Sequence, residues 1–356
     1  MGDLMHTVAF PKIDNYEVPA MYLFKHITNY KIIKPVITPL TVEMGSKHSP
    51  DFVCAPFKYT LGTLINGLDM GADILIQFGG GCRYGYYASL QEEILKKLGY
   101  KFRMYNLIVA GKTDIKRIIK IIKEIDPDIK FRRVIKYGII ALKMVKYMDK
   151  IDDYIRMNIG FEENKGSFIS LKNKMLDDFL NTKSLISLKF KYHKYKKLFR
   201  KIRLNKPRRY LKVGVIGELY TLMESSANYD IEYMLAKEGI AIKRFTSVSY
   251  LLMKKRKKVK KYLKKLKNVK YKMGADAVDN IYHTKYLCKK KYDGIVHIKS
   301  SFCTPEIGAM PIIQKIAKSY SVPIIFFSFD TNTSKVGLQT RIEAFVDMLE
   351  MRKNNE

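Results

Sequence analysis

The sequence predicts an α/β protein made of two parallel-sheet halves with a helical insertion, and three observations carry that expectation. Short apolar runs alternate with helical periodicities over residues 1–110. That rhythm stops from about Gly111 to Lys206, where only helical stripes remain. It resumes at Tyr210 and continues to the end.

Taken in order, Lys34–Pro39, Phe52–Val53 and Ala72–Phe78 read as buried strands. Between them Leu61, Leu64, Ile65 and Leu68 recur at helical spacing, and Tyr86 to Leu98 forms a second helix with Gly99 as its C-cap. Tyr100–Val109 then reads as another strand. In the middle, Ile118, Ile121, Ile122 and Ile125 make one helical stripe and Tyr137–Met148 another, with Asn205–Lys206–Pro207 as the hinge. The second half supplies strands at Tyr210–Ile216, Ala241–Phe245, Gly294–Ile298 and Pro323–Phe329, and a helix over Val278–Lys291. The expected domains are 1–110, 111–206 and 207–356, the first and last Rossmann-like.

Composition narrows the function classes. With 356 residues, 47% hydrophobic and 28% charged, the chain has enough apolar surface for two buried cores. The opening MGDLMHTVAFPKIDNYEVPA carries acids and prolines rather than a basic stretch followed by an apolar run, so no signal peptide is expected. No apolar run approaches the ~18–20 residues that span a bilayer, and a cytoplasmic protein without a membrane partner is the expectation. The net charge of +32 admits a nucleic-acid or other acidic partner. A Lys-, Ile-, Tyr- and Asn-rich sequence without Trp also inflates surface lysine without any such partner, so nucleic acid is not the favoured reading. The segment from Lys254 to Lys272 shows both sides: nearly all basic, it still sets Val259, Tyr262, Leu263, Leu266 and Val269 on one helical face. An amphipathic surface helix is expected there, and a phosphate-tracking helix is the alternative.

The four cysteines carry more information by position than by number. None forms C-x-x-C, which disfavours a zinc knuckle or a thioredoxin-type site, and structural disulfides are not expected in a reducing compartment. Cys54 is expected to close a short strand at Asp51–Val53 and to precede a helix opened by Pro56. Cys82 follows the strand at Ile74–Phe78 through Gly79–Gly80–Gly81. Cys303 follows the strand at Ile295–Ile298, with Thr304 suited to the N-cap, Pro305 to the first helical position and Glu306 to the first turn. All three are thus placed beyond strand carboxyl ends, where open parallel sheets bind ligands and where helix N-termini favour thiolates, the form that binds iron. Cys54, Cys82 and Cys303 are therefore the candidate ligands of an iron–sulfur cluster in the cleft between the halves. Cys288 lies inside a helix and shares none of this setting.

Competing sites are weaker. His48, His283 and His297 show no recognisable Cys–His pairing, and His297 in an apolar strand reads as a core residue. The Gly79–Gly81 loop lacks the P-loop and dinucleotide spacings, and Gly214 and Gly217 before Glu218 are no more specific.

At these residues the sequence resembles the 2-hydroxyacyl-CoA dehydratase and benzoyl-CoA reductase superfamily, in particular its CoA-protein activase (acyl-CoA dehydratase activase-related) branch. The resemblance is carried by Gly45-Ser46-Lys47-His48-Ser49-Pro50, Cys54-Ala55-Pro56-Phe57-Lys58 and Cys82-Arg83-Tyr84-Gly85-Tyr86-Tyr87. Gly217-Glu218-Leu219-Tyr220, Phe302-Cys303-Thr304-Pro305-Glu306 and Thr340-Arg341-Ile342-Glu343-Ala344-Phe345 extend it into the second half. It implies a 4Fe–4S cluster, or a double-cubane cluster, on those three cysteines. It also implies a separate ATP-hydrolysing activase of actin-like fold as electron donor, an acyl-CoA substrate, and a homo- or heterodimer in an anaerobe. Electron transfer without catalysis is the alternative activity. The family segment D-E-H-T-G-E-A-G departs here to Asp330-Thr331-Asn332-Thr333-Ser334-Lys335-Val336-Gly337, which puts chemistry relying on those side chains in doubt. The loop before Cys82 is also shorter than the usual G-G-C-G-P-C form. Arg83 and Lys58 neighbour two candidate ligands and read either as tuning cations or as surface charges; Glu306 reads as a complement to its helix dipole.

Overall fold

In the computed structural model the chain forms two compact units, Met1–Lys143 and Met144–Glu356. The structure describes residues 6–80, 82–107, 115–253, 259, 261–262, 273–274 and 276–355. Gly81, the end of the expected Tyr100–Val109 strand, and Leu263, Leu266 and Val269 of the basic segment lie outside the described residues.

The first unit is built on a four-stranded, all-parallel sheet. Its strands are β1 (Thr7–Ala9), β2 (Lys31–Ile32), β3 (Ile74–Gln77) and β4 (Arg103–Asn106), in the order β2-β1-β3-β4. Helices α1 (Glu17–Ile27), α2 (Pro39–Lys47), α3 (Ala55–Asp69), α4 (Tyr87–Lys97) and α5 (Ile115–Ile125) make its crossovers and flanks. The long α6 (Phe131–Asn158) contains the division between the units. Val8, Ile74 and Ile76 from the strands, with Phe10 just after β1, pack with Phe24 and Ile27 of α1 and with Ile121 and Ile125 of α5. The stripe expected from Ile121 and Ile125 is thus the apolar face of a helix seated on the sheet.

Three expectations in this unit change. Lys34–Pro39 is not a strand: the edge strand is Lys31–Ile32, and Pro39 already opens α2 behind a reciprocal Thr38–Thr41 capping box. Pro35 and Pro39 carry no N–H for a ladder, which keeps their segment out of the sheet. Phe52–Val53 is not a strand either, because Phe52 adopts φ 58° in an exposed turn between α2 and α3. Tyr100–Val109 contributes only Arg103–Asn106 as strand among its described residues. The helix ahead of Gly99 ends as expected, with Gly99 at φ 89°.

Helices α2 and α3 approach so closely that neither crossing residue tolerates a side chain. A Cβ on Gly45 would stand 1.9 Å from the Lys58 carbonyl oxygen, and one on Gly62 would stand 1.8 Å from that of Thr41. This contact fixes the helix whose first residue follows Cys54.

The second unit repeats the plan, with strands β5 (Lys212–Gly217), β6 (Ala241–Arg244), β7 (Gly294–Ser300) and β8 (Ile324–Phe329) in the order β6-β5-β7-β8, all parallel. Around it run α7 (Ser167–Leu180), α8 (Leu185–Lys201), α9 (Leu219–Met223), α10 (Ser225–Asn228), α11 (Ile231–Lys237), α12 (Val248–Met253), α13 (Ala277–Lys289), α14 (Thr304–Ser319) and α15 (Lys335–Asn354). One core layer joins Val213, Val215, Val296 and Phe327 to α11 and α15. The other joins Ile216 and Ile295 to α13 and α14. Helices on both faces of each sheet make the fold an α/β arrangement with two Rossmann-like halves. Lys206, in the expected hinge, donates to the Met157 carbonyl at 3.1 Å and lies over the rings of Phe161 and Tyr210. No helix among the described residues is long and apolar enough to cross a membrane.

Candidate functional site

In the first unit Cys54 is the N-cap residue of α3, with extended backbone (φ −67°, ψ 147°), and its side chain does not cap the helix. It follows a turn between two helices rather than a strand, which corrects the sequence reading. The cysteine thus stands at the N-terminus of a 15-residue helix, the positive end of its dipole. Its Sγ makes a hydrogen bond with the Tyr87 hydroxyl. Tyr87 is the first residue of α4. Its ring is buried, packed edge-on with Phe57 at 4.9 Å and tilted against Tyr84 at 4.6 Å.

Cys82 leaves the carboxyl end of β3 and is the N-cap residue of a 3-10 turn, Arg83–Tyr86, that runs directly into α4. Its carbonyl accepts from the Gly85 N–H at 3.0 Å. A buried amide relay ties these elements together. Gln77 at the end of β3 donates to Gln91 at 2.6 Å; Gln91 in turn donates to Thr60 Oγ1 at 2.8 Å and to the Phe57 carbonyl at 3.2 Å. Strand β3, helix α3 and helix α4 are thus locked in one register around the segments that carry Cys54 and Cys82.

In the second unit Cys303 lies beyond the carboxyl end of β7 and is buried. Cys303 itself, not Thr304, is the N-cap residue of α14, and Thr304 opens the helix. Its amide donates to the Ser300 carbonyl and its carbonyl accepts from Ile307, each at 3.0 Å. Its side chain makes no capping hydrogen bond to this 16-residue helix.

Beneath Cys303 is a polar cluster that the sequence reading did not assemble. Glu306 turns back from α14 into the sheet: its Oε2 lies 2.7 Å from His297 Nε2, and its Oε1 accepts from Asn280 Nδ2 at 2.9 Å. The Asn280 amide also donates to the Gly217 carbonyl at 2.9 Å. Glu306 stands in the first turn of α14, as its reading as a dipole complement requires, and it is also a buried acceptor beside buried His297. Gly217 sits at φ 150°, and a Cβ there would fall 1.8 Å from the Ile298 carbonyl oxygen, so only glycine fits. Glu218 next to it caps α9 by accepting from the Tyr220 and Thr221 amides at 2.7 and 2.9 Å. Burial pushes its carboxyl pKa above the usual glutamate value, and the Glu306 charge adds to that, against the lowering effect of its hydrogen bonds.

Lys299, two residues after His297 on β7, is also buried; its Nζ donates to the Ser301 carbonyl at 3.3 Å. Burial lowers its pKa below the usual lysine value, while the charges of Cys303 and Glu306 pull it back up. A cation buried among these residues favours negative charge at the helix start. Spacing held the only clue to this cluster. His297 and Glu306 are nine residues apart across a strand-to-helix turn, a separation that brings a strand side chain and a first-turn side chain together.

Cys288 sits inside α13, packed with Ile281, Leu287 and Ile295, and burial pushes its thiol pKa up. That is the inert setting expected of it. His283 stacks on Phe245 at 4.3 Å, and His297 is engaged with Glu306, so neither reads as the base of a catalytic thiol. In the divergent Asp330–Gly337 segment, Asp330 Oδ1 accepts from the Thr331 amide at 2.8 Å and Thr333 Oγ1 from the Asp330 amide at 2.9 Å, in a turn leading into α15.

Among the described residues no group of three or more His, Cys, Asp or Glu side chains is gathered as a metal site. The donor chemistry of the three cysteines nonetheless suits iron. Each sulfur is left out of helix capping, one carries a phenol hydrogen bond, and one lies by a buried cation. Residues 250–349, within the second unit, match the family model described as 2-hydroxyglutaryl-CoA dehydratase, D-component. Cys303, Glu306 and the Asp330–Gly337 turn lie inside the matched stretch; Cys54 and Cys82 lie outside it. No curated protein matches the chain.

Proposed function

We propose, on the match of residues 250–349 to the 2-hydroxyglutaryl-CoA dehydratase D-component model, that this chain is an iron–sulfur component of 2-hydroxyacyl-CoA dehydratase type. Cys54, Cys82 and Cys303 hold a 4Fe–4S cluster, with a double-cubane cluster as the alternative. Low-potential electrons come from a separate ATP-hydrolysing activase of actin-like fold, and the substrate is an acyl-CoA or similar thioester. The observation that carries this reading is the shared setting of the three thiols, each at the N-cap position of a helix or helical turn.

When bound, such a cluster supplies single electrons and, with three thiolate ligands, one iron open to a substrate oxygen. The chain's own part is preparation. Cys54 and Cys303 are held at the starts of α3 and α14, at the positive ends of the helix dipoles. The Gly45–Gly62 crossing and the Gln77–Gln91–Thr60 relay fix the helices that carry Cys54 and Tyr87. Lys299 offsets negative charge at Cys303, and the His297–Glu306–Asn280 cluster holds the first turn of α14 against β7.

Electron transfer without catalysis is the second reading, and the Asp330–Gly337 turn favours it. Asp330 and Thr333 are engaged within their own loop, and Lys335 stands where relatives carry a glutamate. Anaerobic purification with iron and sulfide counted for Cys54→Ala, Cys82→Ala, Cys303→Ala and Cys288→Ala tests the common core of both. The first three are expected to lose metal and the fourth to keep it; metal-free wild-type protein refutes the proposal. Reduction by activase and ATP with candidate acyl-CoAs then separates the two readings, since reduction without turnover marks a carrier.

A further inference from the structure

We infer that Tyr87 is a positioning residue that raises the reduction potential of a cluster held by Cys54, an inference that rests on Cys54 being a ligand. The Tyr87 hydroxyl is hydrogen-bonded to Cys54 Sγ although the two residues are 33 apart in sequence. A thiolate sulfur can only accept, so once Cys54 binds metal the phenol is the donor. A donor to a ligating sulfur withdraws electron density and stabilises the reduced, more negative state, which raises the potential.

The arrangement is built for that role. The Tyr87 ring is buried and clamped between Phe57, on the first turn of α3, and Tyr84, on the turn after Cys82. Its hydroxyl therefore cannot swing to solvent without unpacking both cysteine-bearing segments. Neighbouring Tyr86 is 73% exposed and serves as the matched control.

The test is an anaerobic redox titration of the full-length, iron-loaded chain, followed by electron paramagnetic resonance, with iron counted for each variant. Tyr87→Phe removes one oxygen atom and keeps the ring. It is expected to retain the wild-type iron content while its reduction equilibrium shifts about tenfold toward the oxidised state, about 59 mV more negative for one electron. Tyr86→Phe is expected to leave the potential unchanged. An iron-loaded Tyr87→Phe protein at the wild-type potential overturns the inference while leaving Cys54 as a ligand. Loss of iron from Tyr87→Phe overturns it in favour of a purely structural ring, and a wild-type chain without iron removes the ligand reading and the inference together.

Discussion

A single methyl group at the α2–α3 crossing offers a stringent test of how this chain places Cys54. In Gly62→Ala the new Cβ would stand 1.8 Å from the Thr41 carbonyl oxygen and 3.2 Å from the Gly45 nitrogen, whereas ordinary contact begins at 3.4 Å. The obstacle is backbone, so no rotamer relieves it and the two helices must part by more than about 1 Å. Overpacking of this kind costs about 1–3 kcal/mol. At roughly 2–4 °C per kcal/mol, the melting transition of the first unit should fall by about 2–12 °C. The matched control is Gly138→Ala in α6, where the new Cβ meets nothing within 4 Å. Helix propensity alone then predicts a gain of roughly 0.5–1 kcal/mol. The same chemical change should thus have opposite signs at two glycines of one unit. Calorimetry of both variants is the assay, with alkylation of Cys54 under native conditions showing whether α3 has moved. A Gly62→Ala protein that melts with the wild type and labels at the wild-type rate refutes the argument.

Three further outcomes follow from the second unit. Glu306→Ala should destabilise it by about 3–5 kcal/mol, because His297 and the Asn280 amide each lose a buried acceptor; denaturant titration reads the loss, and a change within error contradicts the cluster. Glu218 has a folded-state pKa above its unfolded value, so the folded state binds the extra proton and stability should fall as pH rises from 4.5 through that raised value. Glu218→Gln should flatten that slope, which melting curves at several pH values will show. Cys288→Ser puts a hydroxyl among Ile281, Leu287 and Ile295 and should cost about 1–3 kcal/mol without affecting iron content.

The second sheet was readable from sequence because its strands lie in apolar runs bounded by Gly or Pro. Tyr210–Ile216, Ala241–Phe245, Gly294–Ile298 and Pro323–Phe329 each contain or overlap the observed strand. The first sheet was harder. Its central strand, Thr7–Ala9, has three residues, too few for a periodicity, and its edge strand, Lys31–Ile32, has two. Val36 and Ile37 drew attention to a segment whose prolines exclude it from a ladder. Near Cys54 the hydrophobicity of Phe52 suggested a strand, but the left-handed turn that Phe52 occupies is invisible to a hydrophobic pattern. The cysteines stood out because Pro and Gly punctuate the chain beside them. Tyr87, Lys299 and the His297–Glu306 pair did not, since each acts through a contact that only the folded backbone creates.

The line of hydrogen bonds from Gly217 through Asn280 and Glu306 to His297 crosses from β5 to α13, to α14 and into β7 without an exposed link. Fraying of a single end cannot release it, because every member is anchored on a different element. Cys303, 8% exposed above this seam, should become reachable by a bulky reagent only when the unit opens as a whole. In metal-free protein its labelling rate should therefore track global unfolding, making this one sulfur a gauge of cooperativity for the entire C-terminal half.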